Sequence, residues 1–191
     1  MLFRSDMLPQ DQFDRLKKEL SDFDELREDL IKRSRRLNTL AKQGLYKSHR
    51  DEFDKAADTF EEADPLAAEL IKAYEENPKA KIGALTAALQ EWGECKAYYI
   101  YATEGRLVTQ EELGLEADDY LLALADLSGE LLRRAVLASI AKDHDKTKAI
   151  RDFVDELHGV FVQFDFRNGE LRKKADKLRW NLQKIEELLV K

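Results

Sequence analysis

The chain has 191 residues, 43% of them hydrophobic and 37% charged, with a net charge of −7. That length and apolar share suit one globular domain with a sizeable core and exclude a disordered chain. A single cysteine excludes an intrachain disulfide and a Cys-rich zinc site, and three prolines and eight glycines are too few to punctuate a barrel of many short strands.

The N-terminus, Met1-Leu2-Phe3-Arg4-Ser5-Asp6, has no apolar leader region. No stretch approaches the ~20 apolar residues of a membrane span. The cytoplasm is the expected compartment, and no membrane partner is expected.

A first helix is predicted from Pro9–Gln10 to about Ser48. Its apolar residues Phe13, Leu16, Leu20, Phe23, Leu26, Leu30, Leu37, Leu40 and Leu45 mark one helical face. At ~1.5 Å per residue it exceeds 50 Å, longer than one compact domain requires. A second helix covers Arg50 to Glu76, with a break expected at Asp64-Pro65 and an end at Asn77-Pro78. The third runs from Lys79 to Thr103 and stops at Glu104-Gly105. Thr109 and Glu112 form a capping box for a short helix ending at Gly114. Further helices are predicted over Ala117–Ala141, from Asp145 to about Phe164, and from Asn168-Gly169 to the chain end. The class is all-α: one bundle of about six to seven helices spanning residues 1–191, without strand alternation or repeats.

Charge is segregated along this pattern. Arg27 to Arg50 holds eight basic residues against two acids, and Asp51 to Glu76 holds ten acids against Lys55 and Lys72. The net value of −7 argues against nucleic acid as a partner, yet it describes no single surface.

Two pairs of acids interrupt the helical pattern. Glu91 and Glu94, in Glu91-Trp-Gly-Glu94, lie about 60° apart on the third helix. They border the apolar stripe Leu85, Leu89, Trp92, Cys95 and Tyr99. Like charges at this spacing cost a helix a little unless a cation sits between them, and the plain alternative is a solvated edge. Asp126 and Glu130 share a face inside Leu121–Leu132, where most other positions are apolar. Carboxylates there must be paired or bind metal. Arg133 and Arg134 offer a buried ion pair to Glu130, with Asp126 capping backbone, as the structural alternative.

If the two pairs face each other, four carboxylates without imidazole make a hard oxygen site for Mg²⁺ or Mn²⁺. The residues three before His49, His144 and His158 are Tyr46, Ala141 and Asp155, so the Glu-x-x-His pairs of di-iron bundles are missing. His49, closing the basic helix, reads as solvated or as a phosphate contact. His144 reads as an exposed turn residue and Cys95 as core. No Ser/His/Asp or Cys/His constellation and no Gly-rich phosphate loop is found.

The segment Leu107-Val-Thr-Gln-Glu-Glu-Leu-Gly-Leu-Glu-Ala-Asp-Asp-Tyr-Leu-Leu-Ala-Leu-Ala-Asp-Leu-Ser-Gly-Glu-Leu-Leu-Arg133 closely resembles the translin family. So do Phe153-Val-Asp-Glu-Leu-His-Gly-Val-Phe161, Leu171-Arg-Lys-Lys-Ala-Asp-Lys-Leu178 and the basic Ser34–Lys42 run. The resemblance covers nearly the whole chain. In that family, translin proper binds single-stranded nucleic acid without catalytic acids. Translin-associated factor X is a metal-dependent endoribonuclease inside a hollow octameric shell.

The chain is similar to the second branch. Leu89-Gln-Glu-Trp-Gly-Glu94 stands where that branch has paired glutamates, and Ala125-Asp-Leu-Ser-Gly-Glu130 where it has the catalytic aspartate and a following glutamate. The compact 104–116 connection and the lack of a C-terminal extension resemble a prokaryotic or archaeal member that builds its shell from one chain type.

The resemblance implies Mg²⁺ (or Mn²⁺) on Glu91, Glu94 and Asp126, with Glu130 as ligand or base. It turns Arg27, Lys32, Arg33, Arg35, Arg36 and Lys42 into a phosphate track for single-stranded RNA, with single-stranded DNA as a second ligand. It also implies a homo-octamer, in line with the long apolar stripes of the first and last helices. Two other readings stand beside it: a non-catalytic single-strand binding protein, and a purely structural helical assembly.

Overall fold

The computed structural model describes residues 9–190. Met1–Asp6, read above as carrying no leader, and Lys191 lie outside the described residues. Seven α-helices and no strand are found among the described residues: α1 (Gln10–His49), α2 (Phe53–Glu76), α3 (Gly83–Glu104), α4 (Gln110–Leu113), α5 (Ala117–Ile140), α6 (His144–Phe161) and α7 (Glu170–Leu189). No described helix is long and apolar enough to cross a membrane.

The 40-residue α1 is about 60 Å long at 1.5 Å per residue. Its buried positions are Leu30, Ser34, Leu37, Leu40, Ala41, Gly44 and Ser48, so only the C-terminal half joins the core. In the other half Phe13, Leu16 and Leu20 are 45%, 45% and 66% exposed. The helix therefore projects beyond its own domain. α2 returns antiparallel along it, tied by Arg33 to Glu69 at 2.6 Å and by Arg36 to Glu62.

Three boundaries differ from expectation. α2 runs unbroken through Pro65. Asp64 does not cap there, because its carboxylate accepts from Trp92 Nε1 at 3.0 Å and Lys96 Nζ at 2.6 Å on α3. Pro65 is exposed, which leaves the carbonyl it orphans on the solvent side of the helix. Before α3, Pro78–Ala80 forms a 3₁₀ turn capped by Asn77, whose side chain accepts from Lys79 N, so α3 begins at Gly83. Asp143 caps α6 by accepting from Lys146 N at 2.9 Å, which starts that helix at His144; its last residue is Phe161. The stops at Gly105 and Gly114, with φ of 69° and 64°, fall as predicted, because a residue without Cβ takes the left-handed conformation at little cost. The Thr109–Glu112 capping box is also present.

α1 and α5 each pack on α3, α7 packs on α5 and α6, and α2 covers α1 and α3. Gln90 on α3 bonds Asp119 on α5 at 2.7 Å, and further along Tyr98 bonds Arg134 at 3.0 Å. Those pairings make α3 and α5 parallel, with α4 on the return. The seam between them holds the site.

Candidate active site

Gly93 sits between the two glutamates of α3. A Cβ there would lie 2.8 Å from Leu115 Cδ1 and 3.2 Å from Ala123 Cβ. The missing side chain lets α3 approach α5 closely, which brings the carboxylates of both helices into one seam. Trp92 and Cys95 are buried in the core beside them. Burial also pushes the Cys95 thiol well up, with Glu94 and Glu91 next in effect, which makes it inert.

Glu94 is the centre of the arrangement. Its carboxyl is pushed up to about 8, first by burial, then by the neighbouring Asp126, Glu91 and Glu130, with Lys174 opposing. Glu94 therefore feels the charge of each of the other three predicted acids. Each of the other three has a partner in hand. Lys174 on α7 reaches both oxygens of Asp126 at 2.6 Å, with Lys177 at 3.9 Å. Lys42 on α1 stands 3.6 Å from Glu91. Glu130 takes a 2.6 Å hydrogen bond from His49 Nε2. That bond is the leading cause holding the Glu130 carboxyl below its ordinary value, against burial.

Two expectations are corrected here. His49 is not solvated: its side chain is 4% exposed. Glu130 pairs with His49 rather than with Arg133 or Arg134. Arg134 turns instead to Tyr98 and to Asp51 at 3.1 Å. Asp126 makes an ion pair rather than a backbone cap.

The basic residues of α1 divide by helical angle. Arg33 and Arg36 point to the acids of α2, and Arg27 lies 3.9 Å from its neighbour Glu28. Lys32, Arg35 and Lys42 are exposed on another face with Thr39 and Tyr46, at alternating spacings of three and four. Lys32 and Arg35 have no ion pair among the described residues. The stripe reaches the carboxylates through Lys42. Tyr46, 60% exposed, carries the Arg50 guanidinium 5.7 Å over its ring. It extends the stripe with an aromatic platform, a residue type that carries no signal by itself in a sequence.

The donors suit a hard divalent cation: every candidate ligand is a carboxylate oxygen, and Glu94 makes no hydrogen bond or ion pair of its own among the described residues. Among the described residues, no three Asp, Glu, His or Cys side chains come together as one ligand set. Lys174, Lys42 and His49 already engage these carboxylates, so holding an ion requires those partners to yield.

The fold is an all-α bundle with an acidic seam beside a basic helix, and residues 11–191 match the Translin family model. The chain belongs to the translin family. It is 34% identical over 107 residues to translin of Gallus gallus, covering 49% of this chain and 47% of that protein, so the match spans about half of the relative's length. An uncharacterized protein of Methanocaldococcus jannaschii is 27% identical over 172 residues, 86% of this chain and 75% of its own. Among solved structures, that of apo-NeC3PO superposes with a TM-score of 0.90 at 28% identity, covering 97% of this chain and 98% of the other. The structure of AfC3PO with duplex RNA has the same fold, with a TM-score of 0.85 at 23% identity over 94% and 95% of the two chains.

Proposed function

We propose that this chain is a metal-dependent endoribonuclease that binds and cuts single-stranded RNA in the cytoplasm, inside a translin-type shell of eight copies. The observation carrying this reading is the single seam in which burial first, and then the neighbouring Asp126, Glu91 and Glu130, raise the Glu94 carboxyl to about 8. A purely structural ion-pair network has no use for a fourth acid without a partner. Glu91, Glu94 and Asp126 are the residues that would hold Mg²⁺ or Mn²⁺, which supplies a bound water of lowered pKa and positive charge against the scissile phosphate. Glu130, kept ionised by His49, is the acceptor for a proton from attacking water. Lys32, Arg35 and Lys42 bind the phosphates upstream and steer the strand to Glu91.

The likeness to apo-NeC3PO supports the assembly, and the AfC3PO complex shows RNA on the same fold in that protein. A second reading, a single-stranded RNA or DNA binding protein without catalysis, is favoured by one observation: Asp126, Glu91 and Glu130 already have partners within the chain.

Labelled single-stranded RNA incubated with the pure protein separates the readings. The nuclease reading expects cutting in Mg²⁺ and none in EDTA, and expects Glu94→Gln and Asp126→Asn to abolish cutting while RNA affinity and fold persist. Full activity in EDTA, or in either variant, would sink it. Binding without cutting selects the second reading, and a duplex RNA arm tests strandedness.

A further inference from the structure

We propose that His49 is a positioning residue that fixes the Glu130 carboxylate, its own ring set by a chain of hydrogen bonds through Tyr98 and Arg134 to Asp51. The catalytic consequence rests on the nuclease reading; the holding of Glu130 does not.

His49 ends α1, 81 residues before Glu130, and its ring is almost wholly buried. Nε2 lies 2.6 Å from Glu130 Oε2, and Nδ1 lies 2.9 Å from the Tyr98 hydroxyl, with the two rings 4.4 Å apart. Tyr98 is itself fully buried. Arg134 donates to the Tyr98 oxygen at 3.0 Å and to Asp51 Oδ1 at 3.1 Å.

The polarity of this chain follows from its one member that can only donate. A guanidinium has no acceptor, so the Tyr98 oxygen accepts from Arg134. Its own proton is then available to His49 Nδ1. With Nδ1 an acceptor, the ring proton of the neutral imidazole sits on Nε2, where it is donated to Glu130. Asp51, with φ of 56° in a region aspartate tolerates, closes the outer end from the α1–α2 turn.

Three helices and a turn thus contribute one member or more. His49, Tyr98 and Arg134 are buried polar groups whose orphaning costs more than their bonds gain, while Asp51 meets them from the surface. The effect on the site is geometric. One oxygen of Glu130 is occupied by His49, while Oε1 has no hydrogen bond among the described residues and remains for chemistry. Groups that hold a catalytic carboxylate from behind in this way commonly matter about 10- to 100-fold.

The test uses the full chain with ¹⁵N-labelled histidine rings, at a pH above the imidazole range. Of the three histidines, His49 is the resonance pair lost in His49→Gln. The expected spectrum has Nε2 protonated and Nδ1 bare, with the Nε2 signal moved by Glu130→Gln and the Nδ1 signal by Tyr98→Phe. A protonated Nδ1, or signals indifferent to both substitutions, overturns the proposal.

In single-turnover cleavage, His49→Leu fills the space without a donor and should lose about 10- to 100-fold at unchanged RNA Kd. His49→Gln keeps an N–H near Nε2 and should recover part of that loss. Equal losses in both, or a Leu variant as fast as wild type, also overturn it. Tyr98→Phe removes only a hydroxyl and serves if the Leu variant fails to fold; cleavage undiminished in it counts against the proposal. The expected spectrum from a wild type that cuts no RNA strikes down the nuclease reading alone.

Discussion

Lys174, on the first turns of α7, places its ammonium 2.6 Å from both carboxylate oxygens of Asp126 in the middle of α5. It stands where a cation is needed most, beside the Asp126 charge that also raises Glu94. Replacing it with methionine leaves Asp126 only the more distant Lys177, 3.9 Å away. Between the cost of breaking an exposed pair and a buried one, the expected loss is about 1–3 kcal/mol, read by urea denaturation. If Mg²⁺ enters the seam, millimolar Mg²⁺ should restore most of that stability to Lys174→Met while adding less to the wild type. A variant equally stable with and without the ion would show that no cation takes the lysine's place.

A second expectation concerns pH. The Glu94 carboxyl sits at 4.5 in its ordinary state and at about 8 in the folded chain. Across that window the native state keeps a proton that the unfolded state has released, so stability falls as pH rises from about 4.5 to about 8. Glu94→Gln has no such proton. It should melt above the wild type at pH 8 and converge with it near pH 5. Each kcal/mol recovered is worth about 2–4 °C in a chain of this size. Parallel melting curves for the two proteins across the window would refute the assignment of the raised carboxyl.

The acids were legible because each pair breaks a local rule. Two like charges at i,i+3 beside an apolar stripe, and two carboxylates in an otherwise apolar helix, are costly within a single turn, and that cost is visible without knowing the fold. His49 offered no such signal. Its partner is 81 residues away, and a histidine closing a basic helix looks solvated until α5 is laid against it. Arg134 misled in the opposite direction, being four residues from Glu130 yet turned to Tyr98. The break expected at Pro65 failed for a related reason: tertiary bonds from Trp92 and Lys96 claim the Asp64 carboxylate that was to cap it. Periodicity reads what a helix does with its own turns and is blind to what neighbouring helices do with its side chains.

RNA binding should divide the basic residues of α1 in two. Lys32, Arg35 and Lys42 lie on the exposed stripe that runs to Glu91, whereas Arg33 and Arg36 are engaged by Glu69 and Glu62. Replacing the first three with alanine should weaken binding regardless of RNA sequence. It should also flatten the dependence of log K on log salt by about 2 units, at roughly 0.7 per lost single-strand contact. Arg33→Ala with Arg36→Ala should leave the slope nearly unchanged. Equal slopes for the triple variant and wild type would make the stripe an ordinary solvated face.

Assembly is the fourth expectation. Light scattering should give a mass near eight times the 22.1 kDa of the chain. Leu16→Glu with Leu20→Glu, both placed on the uncovered half of α1, should break the particle while leaving the helical content of each subunit. These residues contribute nothing to the domain's own core, so a loss of fold in the double variant would contradict the structure. A wild-type monomer at micromolar concentration would remove the shell from the proposed function.

The length of α1 gives it the mechanics of a lever. Its outer arm carries Phe13, Leu16 and Leu20, while its inner arm ends at His49, beyond a pivot where burial begins at Leu30. From pivot to tip is about 28 Å at 1.5 Å per residue. A tilt of about one degree displaces the imidazole by about 0.5 Å, the tolerance within which a working group must be held. Whatever seats the outer arm therefore tunes the Glu130 carboxylate at the inner end. If the proposed shell forms, a neighbour seated on the outer arm acts on His49 and through it on Glu130, while Glu91, Glu94 and Asp126, none of them on α1, keep their places.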